Sequence, residues 1–374
     1  MNKRIFLSAC MIVKNEEDLL DNCLHSLENI VDEIIIVDTG STDRTKEICM
    51  SYNASIYDFV WTDSFSAARN LGLEKATGEW VLWLDADEEL KTDNIDQLKT
   101  ILKSTSADLC MITLINYFGV PPPDRNRSYL FASYRFFRNY RGIRFTGNVH
   151  EHLDILLDTA AYSYAVIPGV HIHHYGYMDA VVKNKDKHNR NLYLLKKERE
   201  YAGYSPWIDY HIASEYYRVK NYTEAFNQVN LSIKRFLDIN KIPPSLLYKL
   251  KYDILISLGS FAGAWPGINN AIALYPEYVD LHFYKGLILY EMRRFNEAIS
   301  AFQHCIELGD KNPKYLIMTG CGGFRSWFLI GRCHEDTENT SGAIDAYTQA
   351  ISLYPDYQEA QIRLLLLKQK KLHS

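Results

Sequence analysis

A chain of 374 residues with 47% hydrophobic and 23% charged side chains has the composition of a folded protein and is long enough for two cores. The net charge of −5, from 41 basic and 46 acidic residues, offers no basic excess for nucleic acid as the main partner. No stretch reaches the roughly 18 apolar residues of a membrane span, and the basic start MNKR is followed by an apolar run that Lys14 cuts short. That run reads as a first buried strand rather than a leader. The seven cysteines (Cys10, Cys23, Cys49, Cys110, Cys305, Cys321 and Cys333) are scattered and form no C-x-x-C pair. They are expected to be reduced thiols of a cytoplasmic protein.

Short apolar runs at 5–13, 33–37, 80–84 and 109–114 alternate with segments of helical spacing. Within 16–29, for example, Leu19, Leu20, Cys23, Leu24 and Leu27 share one face. Strands apolar on both faces, alternating with helices, predict an α/β domain with a mostly parallel sheet covered on both sides. Ligands of such sheets bind outside the carboxyl ends of the strands. MIVKNEE (11–17), VDTGSTDRT (37–45) and WLDADEE (83–89) fall there. Asp43 is placed to cap the helix after the second strand. Neither G-x-G-x-x-G nor G-x-x-x-x-G-K-[ST] occurs, which removes the dinucleotide and P-loop fingerprints. In the third stretch, residues i and i+2 of an extended chain share a face, so Asp85 and Asp87 are expected side by side. Two such carboxylates repel unless they share a cation.

Between residues 144 and 179, RFTGNVHEHL and VHIHHYGYMD place five histidines within 25 residues. With no H-E-x-x-H and no cysteine partner, a structural zinc site is not expected. KNKDKHNRNLYLLKKERE (183–200) reads as a basic connecting helix.

From about residue 207 a helical repeat takes over. FAGAWPGINNAIALYP from Phe261 lies over FNEAISAFQHCIELGD from Phe295 at an offset of 34 residues. YTEAFNQVNLSI from Tyr222 and TSGAIDAYTQAISLYP from Thr340 fit the same template at offsets of 39 and 45. A 34-residue period with small residues at helix crossings resembles tetratricopeptide (TPR) repeats, here four imperfect units. Tyr252 departs from the template by standing where a small residue is usual. The last offset leaves 11 extra residues around KYLIMTGCGGFRSW (314–327). A glycine-rich insertion in a solenoid is expected on one face, often the binding face.

The three strand-end stretches, in this order and with FSAARNLGLEKATGEW before the last, resemble family 2 glycosyltransferases of the GT-A fold. With the repeats behind them, the chain is similar to bacterial family 2 enzymes fused to TPR domains. The resemblance implies a UDP-sugar donor and a divalent metal, Mn²⁺ or Mg²⁺. Carried over by position, Asp38 accepts a hydrogen bond from uracil, and Ile12, Val13, Lys14 and Glu16 belong to the segment that cradles base and ribose. Arg69 lies near the phosphates, Asp85 toward the ribose and Asp87 on the metal. A divalent cation with carboxylate ligands can bridge diphosphate oxygens and neutralise the leaving group. A late histidine serves as a further ligand in such enzymes, here His174 with His173 as the alternate. Inversion needs a base opposite the diphosphate, for which Glu151 is the candidate. Arg190 is a candidate for reaching the diphosphate from the basic helix.

The expected organisation is a GT-A domain over 1–204 and a TPR-like domain over 205–374. The first divides into a nucleotide-sugar half (1–115), an acceptor half (116–180) and a connecting helix (181–204). The expected function is an inverting hexosyl transfer from a UDP-sugar to a peptide or protein held partly by the repeats. Repeat surfaces pair readily, so a homodimer through that half is among the expected assemblies. Two other readings stay open: a TPR adaptor on an inactive GT-A domain, and a transferase acting on a cell-surface or lipid-linked glycan.

Overall fold

Strand β1 (Leu7–Val13) is buried along almost its whole length, as an unbroken apolar run requires. It lies between β2 (Glu33–Asp38) and β4 (Trp80–Trp83), parallel to both, and β3 (Ser55–Asp58) extends the parallel set beyond β2. The computed structural model describes residues 5–157, 162–179 and 187–373. Residues 181–186 of the connecting helix expected over 181–204 lie outside the described residues; of the remainder, Lys187–Arg199 is helical. The chain divides into two units: residues 1–124 with 131–200, and residues 125–130 with 201–374.

The first unit is an α/β GT-A domain whose sheet is mixed. After β5 (Glu88–Thr92), β6 (Leu109–Gly119), β7 (Ser128–Arg138) and β10 (Tyr164–Met178), the strand order is β3-β2-β1-β4-β7-β6-β10-β5. β7 runs antiparallel to β4, and β5 antiparallel to β10. Helices α1 (Leu20–His25), α2 (Thr45–Ser51), α3 (Phe65–Lys75) and α4 (Ile95–Ser104) connect strands of this sheet. Leu20, Cys23, Leu24 and Leu27, the face expected of the first helix, are buried in a cluster with Leu7, Trp80, Leu82 and Phe136. Ser64 caps α3 by accepting from the Ala67 N–H at 3.3 Å. A two-stranded hairpin, β8 (Phe145–Thr146) with β9 (His152–Leu153), stands apart from the sheet.

The second unit is helical. Pro206–Arg218 packs with Tyr222–Asp238, Val279–Glu291 with Phe295–Leu308, and Phe324–Asp336 with Thr340–Leu353. Small residues sit where helices cross: Ala225, Ala264, Ala271, Ala298 and Ala343 are buried. A Cβ at Gly331 would come within 2.5 Å of the Tyr347 ring, and one at Gly286 would overlap Phe302. Tyr252 is buried beside Ala264 and Ile268. Here the template's second helix is interrupted, ending at Ala264 and resuming at Ile268. Pro266 stands in the gap, where its missing N–H prevents a continuous helical ladder.

The glycine-rich insertion is not an open loop. Ile317 and Met318 form a short strand, β11, that pairs antiparallel with Leu130 and Tyr129 of the same unit. Asp310 accepts from the N–H groups of Gly320 and Gly322, both at 2.6 Å, and Cys321 is fully buried. Gly320 has φ +92° and its Cα faces the Phe324 ring, so only glycine fits there. Arg325 donates to the Asn126 carbonyl at 3.2 Å, and the Thr319 and Ser128 hydroxyls meet at 2.9 Å. Segment 125–130 therefore belongs to the helical unit, an assignment that differs from a single boundary at 204/205. Hydrophobic periodicity carries no sign of it, because a strand reads the same whichever unit pairs it.

Candidate active site

Asp38 ends β2, and the parallel register places it level with Val13 at the end of β1. It is 1% exposed. Burial alone would push its carboxyl up, but hydrogen bonds from Ser41 and Gly40 and the Lys46 ammonium at 3.5 Å hold it below the usual range. The two loops beside it are laced together. Asn15 (φ +54°) accepts from the Thr42 N–H at 2.8 Å, and the Glu16 N–H donates to Thr45 Oγ1 at 2.8 Å. Asp43 stands one residue before the cap position of α2, which Arg44 occupies, and its side chain accepts the first helical N–H, that of Thr45, at 3.0 Å; it also accepts from the Glu17 N–H at 3.2 Å, which joins the loops. Val13 is buried, Lys14 is exposed, and Ile12 lines a small cavity with Arg69, Trp83 and Phe145.

The D-x-D pair lies in a turn rather than in the strand. β4 ends at Trp83, and the Glu88 N–H closes the turn on the Asp85 carbonyl at 3.1 Å. The expectation that the two carboxylates sit side by side in an extended strand is therefore corrected, and each faces a partner of its own. Asp85 meets the Arg69 guanidinium at 2.6 Å, and Asp87 meets His174 Nε2 at 3.6 Å. Burial works to raise Asp85, yet Arg69 and Arg135 hold it below the usual range against the repulsion of Asp87.

Arg69 is buried on α3, and its Nε donates to Glu151 at 2.5 Å while Nη2 donates to Asp85. The guanidinium lies 4.7 Å from the Trp83 ring centroid and 5.4 Å from that of Phe145. One cation thus gathers Asp85 and Glu151, and is taken up by them rather than presented to solvent. Glu151 precedes β9, and α3 fixes the loop before it. Asn70 bonds the Phe145 N–H and carbonyl, both at 2.9 Å, and the Phe65 N–H donates to the Asn148 carbonyl at 2.9 Å.

His174 and His173 point to opposite faces of β10. His174 Nδ1 donates to Asn116 Oδ1 at 2.7 Å, which directs Nε2 toward Asp87; His173 instead meets the Tyr117 hydroxyl at 3.1 Å. Burial would lower His174, but the carboxylates of Asp87, Glu88 and Asp85 raise it, so this pocket favours a positive charge. Gly176 borders the same space. A Cβ there would come within 2.5 Å of His174 Nε2 and 2.6 Å of Asp87 Oδ2. Among the described residues no three His, Cys, Asp or Glu side chains converge to hold a metal. Asp87 and His174 fit a divalent cation that draws its other ligands from substrate oxygens and water. Gly176→Ala is accordingly expected to cut the strengthening of UDP binding by Mn²⁺ at least about tenfold while leaving metal-free UDP affinity intact. Titration calorimetry with and without Mn²⁺ measures both.

Arg190 stands on the helix that follows β10, Lys187–Arg199, where it bonds Asn191 and lies 5.0 Å from the Phe65 ring centroid, beside the start of α3. Four contributors escaped the sequence reading: Trp83, Asn116, Arg135 and Gly176. Gly176 alone carried a signal, as a glycine between two tyrosines near the end of a strand pattern.

Residues 8–160 match the glycosyl transferase family 2 model, and residues 279–311 and 324–357 match a tetratricopeptide repeat model. The family 2 match thus falls mainly on the first unit, and the repeat matches fall on the second. A TPR repeat-containing protein of Synechococcus elongatus is 38% identical over 177 residues, 46% of this chain and 42% of its own length. The SPbeta prophage-derived glycosyltransferase SunS of Bacillus subtilis is 26% identical over 292 residues, 76% of this chain and 66% of its own. The chain thus spans less than two thirds of the length of either curated relative. Among solved structures, S. aureus TarS 1-349 gives a TM-score of 0.38 at 15% identity, over 68% of this chain and 87% of that one. No helix among the described residues of the family 2 domain or the repeats is long and apolar enough to cross a membrane.

Proposed function

We propose that this chain is an inverting glycosyltransferase that moves a sugar from a UDP-sugar to a peptide or protein held partly by its TPR unit. One observation carries the reading. In a family 2 domain, Asp38 and the Asp85–Asp87 turn both open beyond the carboxyl ends of parallel strands, and Arg69 gathers Glu151 to Asp85. Asp38, held ionised, accepts one long bond at Oδ1 (3.2 Å from the Ser41 N–H), which leaves capacity for the uracil imide. Ile12 and the laced loops form the walls around base and ribose. A divalent cation at Asp87 and His174 would supply the positive charge that a departing diphosphate needs. Glu151 takes the acceptor's proton as the acceptor attacks the anomeric carbon from the side opposite the diphosphate.

The helical unit supports a peptide acceptor, because stacked helix pairs present an extended surface suited to a strand of chain rather than to a small sugar. A cytoplasmic setting is supported by all seven cysteines being buried and free. A homodimer through the repeats belongs to the same proposal. The test is UDP release from a panel of UDP-sugars, with Mn²⁺, with Mg²⁺ and with neither. Slow metal-dependent hydrolysis of at least one donor is expected. Absence of UDP release from every donor, together with no effect of UDP on the unfolding temperature, refutes the reading.

A further inference from the structure

The turn that carries Asp85 and Asp87 is gripped from beneath by Glu88, at the end of the same stretch, and by Arg135 of β7. Glu88 and Arg135 form a bidentate ion pair with side chains only 2% and 4% exposed, at 2.6 Å (Nη2 to Oε1) and 2.9 Å (Nη1 to Oε2). Glu88 Oε2 also accepts the backbone N–H of Asp85 at 2.9 Å. Arg135 Nη1 reaches the Trp83 carbonyl at 3.4 Å, and its guanidinium lies 3.7 Å from the Trp83 ring centroid. Arg135 therefore holds the residue before the turn and, through Glu88, the turn itself and the residue after it. The opposite wall is tied to the same place. β5 pairs Glu88 with His174, and the Tyr175 N–H donates to the Asp87 carbonyl at 3.0 Å.

Such a pair is a poor way to gain stability. Desolvating two charges costs several kcal/mol, and replacing a buried ion pair by apolar residues of similar volume is often neutral or stabilising. Its geometry offers something apolar packing cannot: a fixed acceptor for the Asp85 N–H and a fork that fixes that acceptor. We infer that Glu88 and Arg135 are positioning residues for the Asp85–Asp87 turn, holding Asp87 in register with His174 so that a divalent cation finds both. The inference rests on the proposed metal role of Asp87 and His174. The hydrogen bonds of Glu88 and Arg135 go to each other, to the Asp85 N–H and to the Trp83 carbonyl.

The test removes the pair without leaving a lone buried charge. The double variant Glu88→Leu/Arg135→Met is compared with wild type in unfolding temperature and in UDP affinity with and without Mn²⁺. Expected are a folded protein and a loss of at least about tenfold in the strengthening of UDP binding by Mn²⁺. A folded double variant with full Mn²⁺ strengthening overturns the inference. Should the double variant not fold, Glu88→Gln decides. It keeps the shape and an oxygen for the Asp85 N–H but weakens the fork, so a smaller loss of about threefold is expected, and an unchanged Mn²⁺ response overturns the inference. If wild type itself binds UDP equally with and without Mn²⁺, the metal reading fails first and takes this inference with it, a result distinct from an unaffected variant.

Discussion

Asp87→Ala is expected to abolish the strengthening of UDP binding by Mn²⁺ or Mg²⁺ and to lower sugar transfer by about two orders of magnitude or more. The reason is local. Asp87 is the carboxylate that faces His174, in a pocket whose carboxylates together raise the histidine's affinity for a proton. A site with that field and only two side-chain ligands depends on both. Asp85 is already engaged by the Arg69 guanidinium at 2.6 Å, which makes it the poorer ligand of the two. Calorimetric titration of UDP into wild type and variant, with and without metal, gives the answer. Equal affinities in wild type under the two conditions would remove Asp87 from the metal role.

Glu151→Gln is expected to reduce turnover by about 10² to 10⁴ while leaving UDP affinity unchanged, the effect of losing a general base that does not touch the nucleotide. The amide keeps the shape of the side chain beside Arg69 and can still accept its Nε–H, so the loop after Gly147 should stay in place. Steady-state transfer and a UDP titration on the same preparation separate the possibilities. Unchanged turnover returns Glu151 to a structural role as an anchor of Arg69. A parallel loss of UDP affinity would mean instead that Glu151 acts through Arg69 on Asp85. A thiol acceptor, being more acidic than a hydroxyl, would put the loss toward the lower end of the range.

Much of the fold was legible because strands buried on both faces and helices with one apolar stripe leave different spacings in the chain. Leu20, Cys23, Leu24 and Leu27 went to the core as that spacing requires. The antiparallel placement of β5 and β7 was not legible, since strand direction follows from pairing between distant segments, which periodicity does not record. Asp38, Arg69, Asp85, Asp87, Glu151 and His174 are singled out by the family resemblance rather than by spacing, and the structure brings Asp85, Arg69 and Glu151 into one chain of contacts and Asp87 to His174. The turn is not legible in the sequence, because D-x-D directly after an apolar run has the spacing of an extended strand. Arg135 was missed because an arginine inside an apolar strand shows its purpose only when its partner, Glu88, is seen 47 positions away.

The pairing of Tyr129 and Leu130 with β11 bears on how such a protein can be inherited or recombined. The chain changes unit after Asp124, after Leu130 and after Glu200, so the repeats are not a single block appended behind the family 2 domain. A graft made at residue 200 alone would bring in foreign helices without the β11 strand and the Arg325 and Thr319 side chains that segment 125–130 uses. It would leave that strand edge and its carbonyls without partners. A working chimera must carry residues 125–130 along with the repeats, two stretches separated by some seventy residues of domain. The two stretches therefore form one folding unit even though they are far apart in the chain.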